Sequence, residues 1–340
     1  MSVEWVEPGR LLVSSVTSPR EVPRLVSQAE TVQWRELLPE ALRRSLAESL
    51  SERPEVEVYV YGHYGQTLPS DLSFLAGLEH VRQLSLNLRG VLAGVDGLER
   101  FRHLRSLYLQ VDPKRPSIVA LRNAPDLEVL SLGGPVQDAH VIGELAHLRE
   151  LRSPATAPIL EALVGHRWLR RLRLTFGTAR DLSALATCPS LTDLELYQVR
   201  SLDARDLDPL ARIARLEALA LGALRNVTDL RGLGAPASSL RWLTLEKLPA
   251  LDTYAPLADH EQLRAFGSWE ARPADRSLAP LTRLPLEDVS LGDAYPLHEL
   301  EALIAAGPTL RLSARRHPGD PPSRIRWRGL FSYMDKERTA

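Results

Sequence analysis

The sequence predicts an α/β solenoid, a stack of short coils that each place one strand in a parallel sheet and close behind it with an apolar turn. Three observations predict it. Leucine accounts for 64 of the 340 residues. An apolar motif, Leu-x-x-Leu-x-Leu, recurs at nearly constant spacing, and the interval between copies is too short for a strand and a long helix together.

Taken in order, the N-terminal Val3-Glu-Trp-Val-Glu7 and Arg10-Leu-Leu-Val-Ser-Ser-Val16, separated by Pro8-Gly9, are expected to form a hairpin followed by a short helix. Residues 38–52 read as an amphipathic helix, with Leu38, Leu42, Leu46 and Leu50 four apart and Pro39 in the first turn. Residues 1–55 are therefore expected to cap the open end of the stack, whose first coil would otherwise expose its core. Val56 to Tyr61 alternates as a strand and leads into the repeats. The motif then begins at Val81, Leu104, Leu127, Leu148, Leu169, Leu191, Leu216, Leu240, Leu263 and Leu286, with a degenerate copy from Gly307, at intervals of 21 to 25 residues. Residues 56–313 thus hold about eleven or twelve coils. Within each motif the leucines share one side of a short strand and fill the core, while the intervening residues face outward. A second apolar pair such as Leu207 and Leu210, or Leu278 and Leu281, faces the core from the other wall, where short 3₁₀ or irregular turns fit. Residues 314–340 are expected to form a basic cap and tail, with Ile325-Arg-Trp-Arg-Gly-Leu-Phe331 as a closing strand.

These motifs resemble the leucine-rich repeat family. The preface Asp-Leu-x-x-Leu-Ala, at Asp71 to Ala76 and Asp181 to Ala186, is similar to its short, internalin-type class of about 22–23 residues, found in bacteria. The resemblance implies a horseshoe with a concave parallel sheet and short 3₁₀ segments on the convex side. One feature departs from the family. Its ninth repeat position usually holds an asparagine that bonds the turn, whereas this chain has Arg89, Asp112, Pro135, Thr156, Gly177, Val199, Leu224, Leu248, Ala271 and Ala294. Without an asparagine ladder the turn's backbone groups must find other partners, so less regular coils are expected.

Composition narrows the function. With 42 basic and 43 acidic residues the net charge is -1, which argues against a bulk polyelectrolyte binder. Arginine outnumbers lysine 39 to 3, suggesting a GC-rich bacterial genome or a demand for bidentate pairing. The lone cysteine, Cys188, excludes an internal disulfide and points to a reducing compartment. Acidic residues at the start do not suit a secretory leader, and no apolar run reaches membrane-spanning length, so a cytoplasmic location is expected.

No phosphate-cradling, dinucleotide, nucleophile-elbow or His-Glu-x-x-His motif is present; His260-Glu-Gln-Leu-Arg264 lacks the second histidine. The chain is therefore read as no enzyme, with no cofactor and no metal. Cys188 stands where other repeats bury a small residue and reads as a structural thiol. His80, His103 and His147 share the slot before the strand motif, with Asp126 in the same column, an exposed polar row or the makings of a metal site.

The outward strand positions are where such a fold keeps side chains that the core does not constrain. Two groups stand out. Ala218, Ala220 and Gly222 form a floor of small residues flanked by Tyr197, Trp242, Glu246 and Trp269, either an anchor site for a partner or a surface the aromatics fold down to cover. Arg152, Arg171 and Arg173 adjoin Asp193 and Glu195, either a steering patch or a self-neutralising network. The leading expectation is a non-enzymatic, monomeric scaffold that binds a partner protein through its concave face. Nucleic-acid binding through the arginine block and basic tail is one alternative. A small-ligand or enzymatic site at the Ala218–Gly222 depression is another.

Overall fold

The computed structural model describes residues 4–62, 68, 71–88, 95–111, 115–234, 239–307 and 309–314. The expected closing strand and basic tail, and the ninth-position residues Arg89 and Asp112, lie outside them. The chain divides into two compact units, Met1–Ala179 with Thr187–Leu191, and Arg180–Ala186 with Thr192–Ala340.

The first unit opens with β1 (Glu4–Glu7) and β2 (Arg10–Leu12), paired antiparallel across the Pro8-Gly9 turn. From β2 onward its strands run parallel in chain order: β3 (Thr31–Trp34), β4 (Glu57–Gly62), β5 (Gln83–Leu88), β6 (Ser106–Val111), β7 (Val129–Leu132), β8 (Glu150–Ala155) and β9 (Arg171–Gly177). The parallel ladder therefore reaches back to Arg10. Helices α1 (Val22–Val26) and α2 (Glu40–Glu52) lie between the early strands, and α2 buries Leu42, Leu46 and Leu50 as their four-residue spacing requires.

The second unit repeats the arrangement with β10 (Asp193–Tyr197), β11 (Ala218–Gly222), β12 (Trp242–Glu246), β13 (Ala265–Trp269), β14 (Asp288–Leu291) and β15 (Arg311–Ala314), all parallel. Every strand leucine of β10 to β12 is buried, and Leu207, Leu210, Leu230, Leu233 and Leu257 meet them from short 3₁₀ segments. Neither wall could be buried by one coil alone, so stacking makes the core.

The Asp-Leu preface has a local cause. Asp71, Asp181 and Asp229 each accept a hydrogen bond from the backbone N–H two residues on, at 2.9, 2.8 and 2.9 Å, and so start the next 3₁₀ turn. Two segments depart from the 3₁₀ pattern. Thr156 to Leu163 coil as the short helix α3 (Ala157–Ala162), and Pro296 introduces the ten-residue α4 (Leu297–Ala306). Here Leu300 and Leu303 are buried at helical spacing where other coils carry the Asp-Leu signature.

The missing asparagine ladder is replaced by backbone. In the second unit the residue just after each of β10 to β13, Gln198, Ala223, Lys247 and Glu270, takes a left-handed conformation with φ of 55, 53, 52 and 51°. This turns the N–H of Gln198, Ala223 and Lys247 onto the carbonyls of Gly222, Glu246 and Trp269 in the next coil, at 2.8, 2.7 and 2.8 Å. The ninth-position residues Val199, Leu224, Leu248 and Ala271 are then fully buried apolar contacts. These four turns share one backbone conformation and carry strain, since non-glycine residues in this region cost about 1–2 kcal/mol each. Ala223→Gly is accordingly expected to raise stability by up to about 1 kcal/mol in denaturant titration, less what glycine's freer unfolded chain takes back.

Candidate functional site

In the second unit the strand register assembles the predicted aromatic group. Ala218 lies beside Trp242, Ala220 beside Thr244, and Gly222 beside Glu246, which in turn lies beside Trp269. The floor is narrower than the sequence suggests, because Ala218 and Gly222 are buried and only Ala220 is half-exposed. Its cause is visible at the glycines. A Cβ on Gly222 would lie 2.3 Å from Cδ2 of Tyr197, and one on Gly292 would lie 2.2 Å from Cδ1 of Trp269. Tyr197 and Trp269 thus lie down on glycines of the following strands, with Trp269 also over Gly267. Packing down, one of the two readings open at the sequence level, describes these two rings, and both residues stay half-exposed. Trp242 and Glu246 are half-exposed as well, and Lys247 Nζ stands 3.2 Å from Glu246.

The arginine block is divided between the units. Arg152, Arg171 and Arg173 are exposed on β8 and β9 of the first, while Asp193 and Glu195 belong to β10 of the second. Within the first unit Glu150, on β8 itself, holds Arg152 at 2.8 Å and approaches Arg171 at 3.7 Å. Such exposed pairs contribute at most about 1 kcal/mol each, so Glu150 tempers the positive patch without fixing it. Asp193 is buried and accepts the Thr192 hydroxyl at 2.6 Å.

The histidine column does not converge. His80 is half-buried, His103 and His147 are exposed, and among the described residues no group of three His, Cys, Asp or Glu side chains is placed to hold a metal. Cys188 is buried, donates to the Leu163 carbonyl at 3.2 Å, and has its thiol pushed up to about 11 by burial, which makes it unreactive at neutral pH. Behind the sheet of the second unit, Leu210, Ile213, Leu216, Leu219, Leu233 and Leu240 border a partly open cavity of about 50 Å³, too small for an organic substrate. No helix among the described residues is long and apolar enough to cross a membrane.

Two features escaped the sequence. His166 and His260 stand three residues before the strand motif, the same position as Cys188, and both are buried. That shared offset was the available signal. His166 Nδ1 accepts from the Leu169 N–H at 3.3 Å, whereas neither ring nitrogen of His260 has a partner among the described residues. The second feature is a hydroxyl cluster in the core. Ser268 replaces a strand leucine and is fully buried, and Tyr254 Oη reaches Ser268 Oγ at 2.7 Å, the Ala271 carbonyl at 2.9 Å and Tyr295 Oη at 3.1 Å.

Burial holds His80, His166 and His260 below the usual histidine range. Below about pH 6.5 the unfolded chain takes up protons that the folded chain refuses, so stability is whole above that pH and falls as pH drops toward the folded values. Asp71 and Asp181, held down by hydrogen bonds from Ser73 and Ser183, add a second loss at still lower pH. Chemical denaturation from pH 8 to 5 is expected to show the first decline, and His260→Leu to make it shallower.

No family model matches the chain, and no curated protein matches it. Among solved structures, the internalin inlF of Listeria monocytogenes shares 19% identity, covering 89% of this chain and 79% of its own, with a TM-score of 0.48. The mouse RP105/MD-1 complex shares 14%, covering 83% of this chain and 60% of its own, at 0.49. A leucine-rich repeat protein of Leptospira interrogans shares 12%, covering 87% and 92%, at 0.34. The fold itself is legible in the chain's own coils: one parallel strand per repeat of 21 to 25 residues, paired leucines inside, and Asp-started 3₁₀ turns behind. The chain has the leucine-rich repeat fold.

Proposed function

We propose that the chain is a non-enzymatic scaffold that recognises a partner protein through the outward, concave face of its sheet, with Tyr197, Ala220, Trp242, Glu246 and Trp269 as the anchor group and Arg152, Arg171 and Arg173 as steering charges. The observation that carries the reading is the seating of two rings on glycines. Tyr197 and Trp269 are seated on glycines yet half-exposed, so a partner meets apolar area whose rotamer entropy is already spent. Aromatic anchors beside a half-exposed small residue suit a protein contact. A single buried thiol suits a cytoplasmic setting.

With a partner isolated by affinity capture, Trp242→Ala and Trp269→Ala are each expected to weaken binding by about 2 kcal/mol or more. Ala220→Arg is expected to block it. Arg171→Glu and Arg173→Glu should instead slow association, mainly at low ionic strength. Circular dichroism checks that Trp269→Ala, which bares two glycines, keeps its fold. Normal binding by a folded Ala220→Arg protein would remove the site from the concave face.

A further inference from the structure

The outward face of the first unit differs in kind from that of the second. Of the nine outward positions on β4, β5 and β6, only Glu57 is charged. Its carboxylate is engaged internally, accepting the Ser85 hydroxyl at 2.5 Å and the Thr31 hydroxyl at 3.1 Å. The rings of Tyr59 and Tyr61 stack at 5.4 Å with 27° between their planes. Register sets Ser85 between Tyr59 and Tyr108, and Asn87 between Tyr61 and Gln110. Asn87 Nδ2 reaches the Tyr59 hydroxyl at 3.5 Å, the Tyr108 hydroxyl donates to Gln110 Oε1, and the Gln110 side chain lies against Gly133. All of these tyrosines and amides are half-exposed.

From this arrangement we propose that the β4–β6 face binds a neutral carbohydrate chain. An aromatic platform offers flat apolar area to the C–H face of a sugar ring, and the amides and hydroxyls beside it offer donors and acceptors held in place by one another. A sugar hydroxyl both donates and accepts, so a polyol satisfies such a surface in either sense. A protein seated here would have to match each amide and serine it covers or leave it unpaired, at a cost of about 1–3 kcal/mol apiece. The lack of free charge at these nine described positions disfavours anionic ligands. Two strand spacings of about 4.8 Å give a width of about 10 Å, the scale of a short oligosaccharide. This site shares no residue with the anchor group and steering charges proposed above.

Saturation-transfer NMR on the full chain tests it, with maltohexaose, cellohexaose and chitohexaose as neutral probes and a heparin hexasaccharide as the anionic one. At least one neutral probe is expected to receive saturation, with an affinity unchanged between low and high salt. Tyr61→Ala and Tyr108→Ala should each weaken it about tenfold or more. Asn87→Leu should weaken it without removing a ring, and Trp168→Ala, an exposed tryptophan before β9, should leave it unchanged. No transfer to any neutral probe, transfer to heparin alone, or full binding by both folded tyrosine variants would overturn the proposal. Loss of a partner protein's binding in the tyrosine variants, with no sugar signal, would assign this face to protein instead.

Discussion

Leu219→Ala is expected to lower the unfolding free energy by about 2–5 kcal/mol, toward the upper end of that range. Leu219 is buried on β11 and already borders the 50 Å³ cavity, so removing its isobutyl group enlarges an existing void that the surrounding coils have not closed. The matching change on the other side of a strand, Ser131→Ala on β7, removes a half-exposed hydroxyl and should cost under about 0.5 kcal/mol. Urea titration of the two variants separates the inward and outward faces. Equal midpoints would show that the faces are wrongly assigned.

The second large effect is expected at Tyr254. Its one proton goes to the Ala271 carbonyl, so its oxygen accepts from Ser268 and Tyr295, and the cluster is fully satisfied while Tyr254 itself has no exposed surface. The ring also meets Phe266 edge-on at 5.1 Å. Tyr254→Phe keeps the ring but strands the Ala271 carbonyl and two hydroxyls, at about 1–3 kcal/mol. Tyr254→Ala adds the lost ring, for about 3–5 kcal/mol. Burial raises the phenol of Tyr254 well above its usual range and pushes that of Tyr295 up to about 12. Ultraviolet titration should therefore find both silent until the fold is lost.

These residues also show what a sequence of this kind discloses. Leucine spacing reveals the phase of the coils from Val81 onward, because burial on one wall demands period two in the strand and a paired apolar contact behind it. The Asp-Leu preface discloses the 3₁₀ starts, because the cap is made by the aspartate itself. The left-handed turn is silent, since Gln198, Ala223, Lys247 and Glu270 lack the glycine that usually announces positive φ. Ser268 reads as a defect in the pattern; its partners Tyr254 and Tyr295 lie 14 and 27 residues away in sequence and meet it only when coils stack. In the aromatic group the row of outward residues was readable, but the lean of Tyr197 and Trp269 onto glycines of later strands was not, because it depends on side-chain direction across the register.

The most direct test of the protein-binding scaffold is hydroxyl-radical footprinting of the full chain, alone and with its captured partner. The outward side chains Tyr197, Trp242 and Trp269 are expected to lose reactivity on binding, while exposed residues behind the sheet, Leu297 and Ile304 on α4, keep theirs. Protection of Leu297 and Ile304 with Tyr197, Trp242 and Trp269 unchanged would contradict recognition through the sheet face.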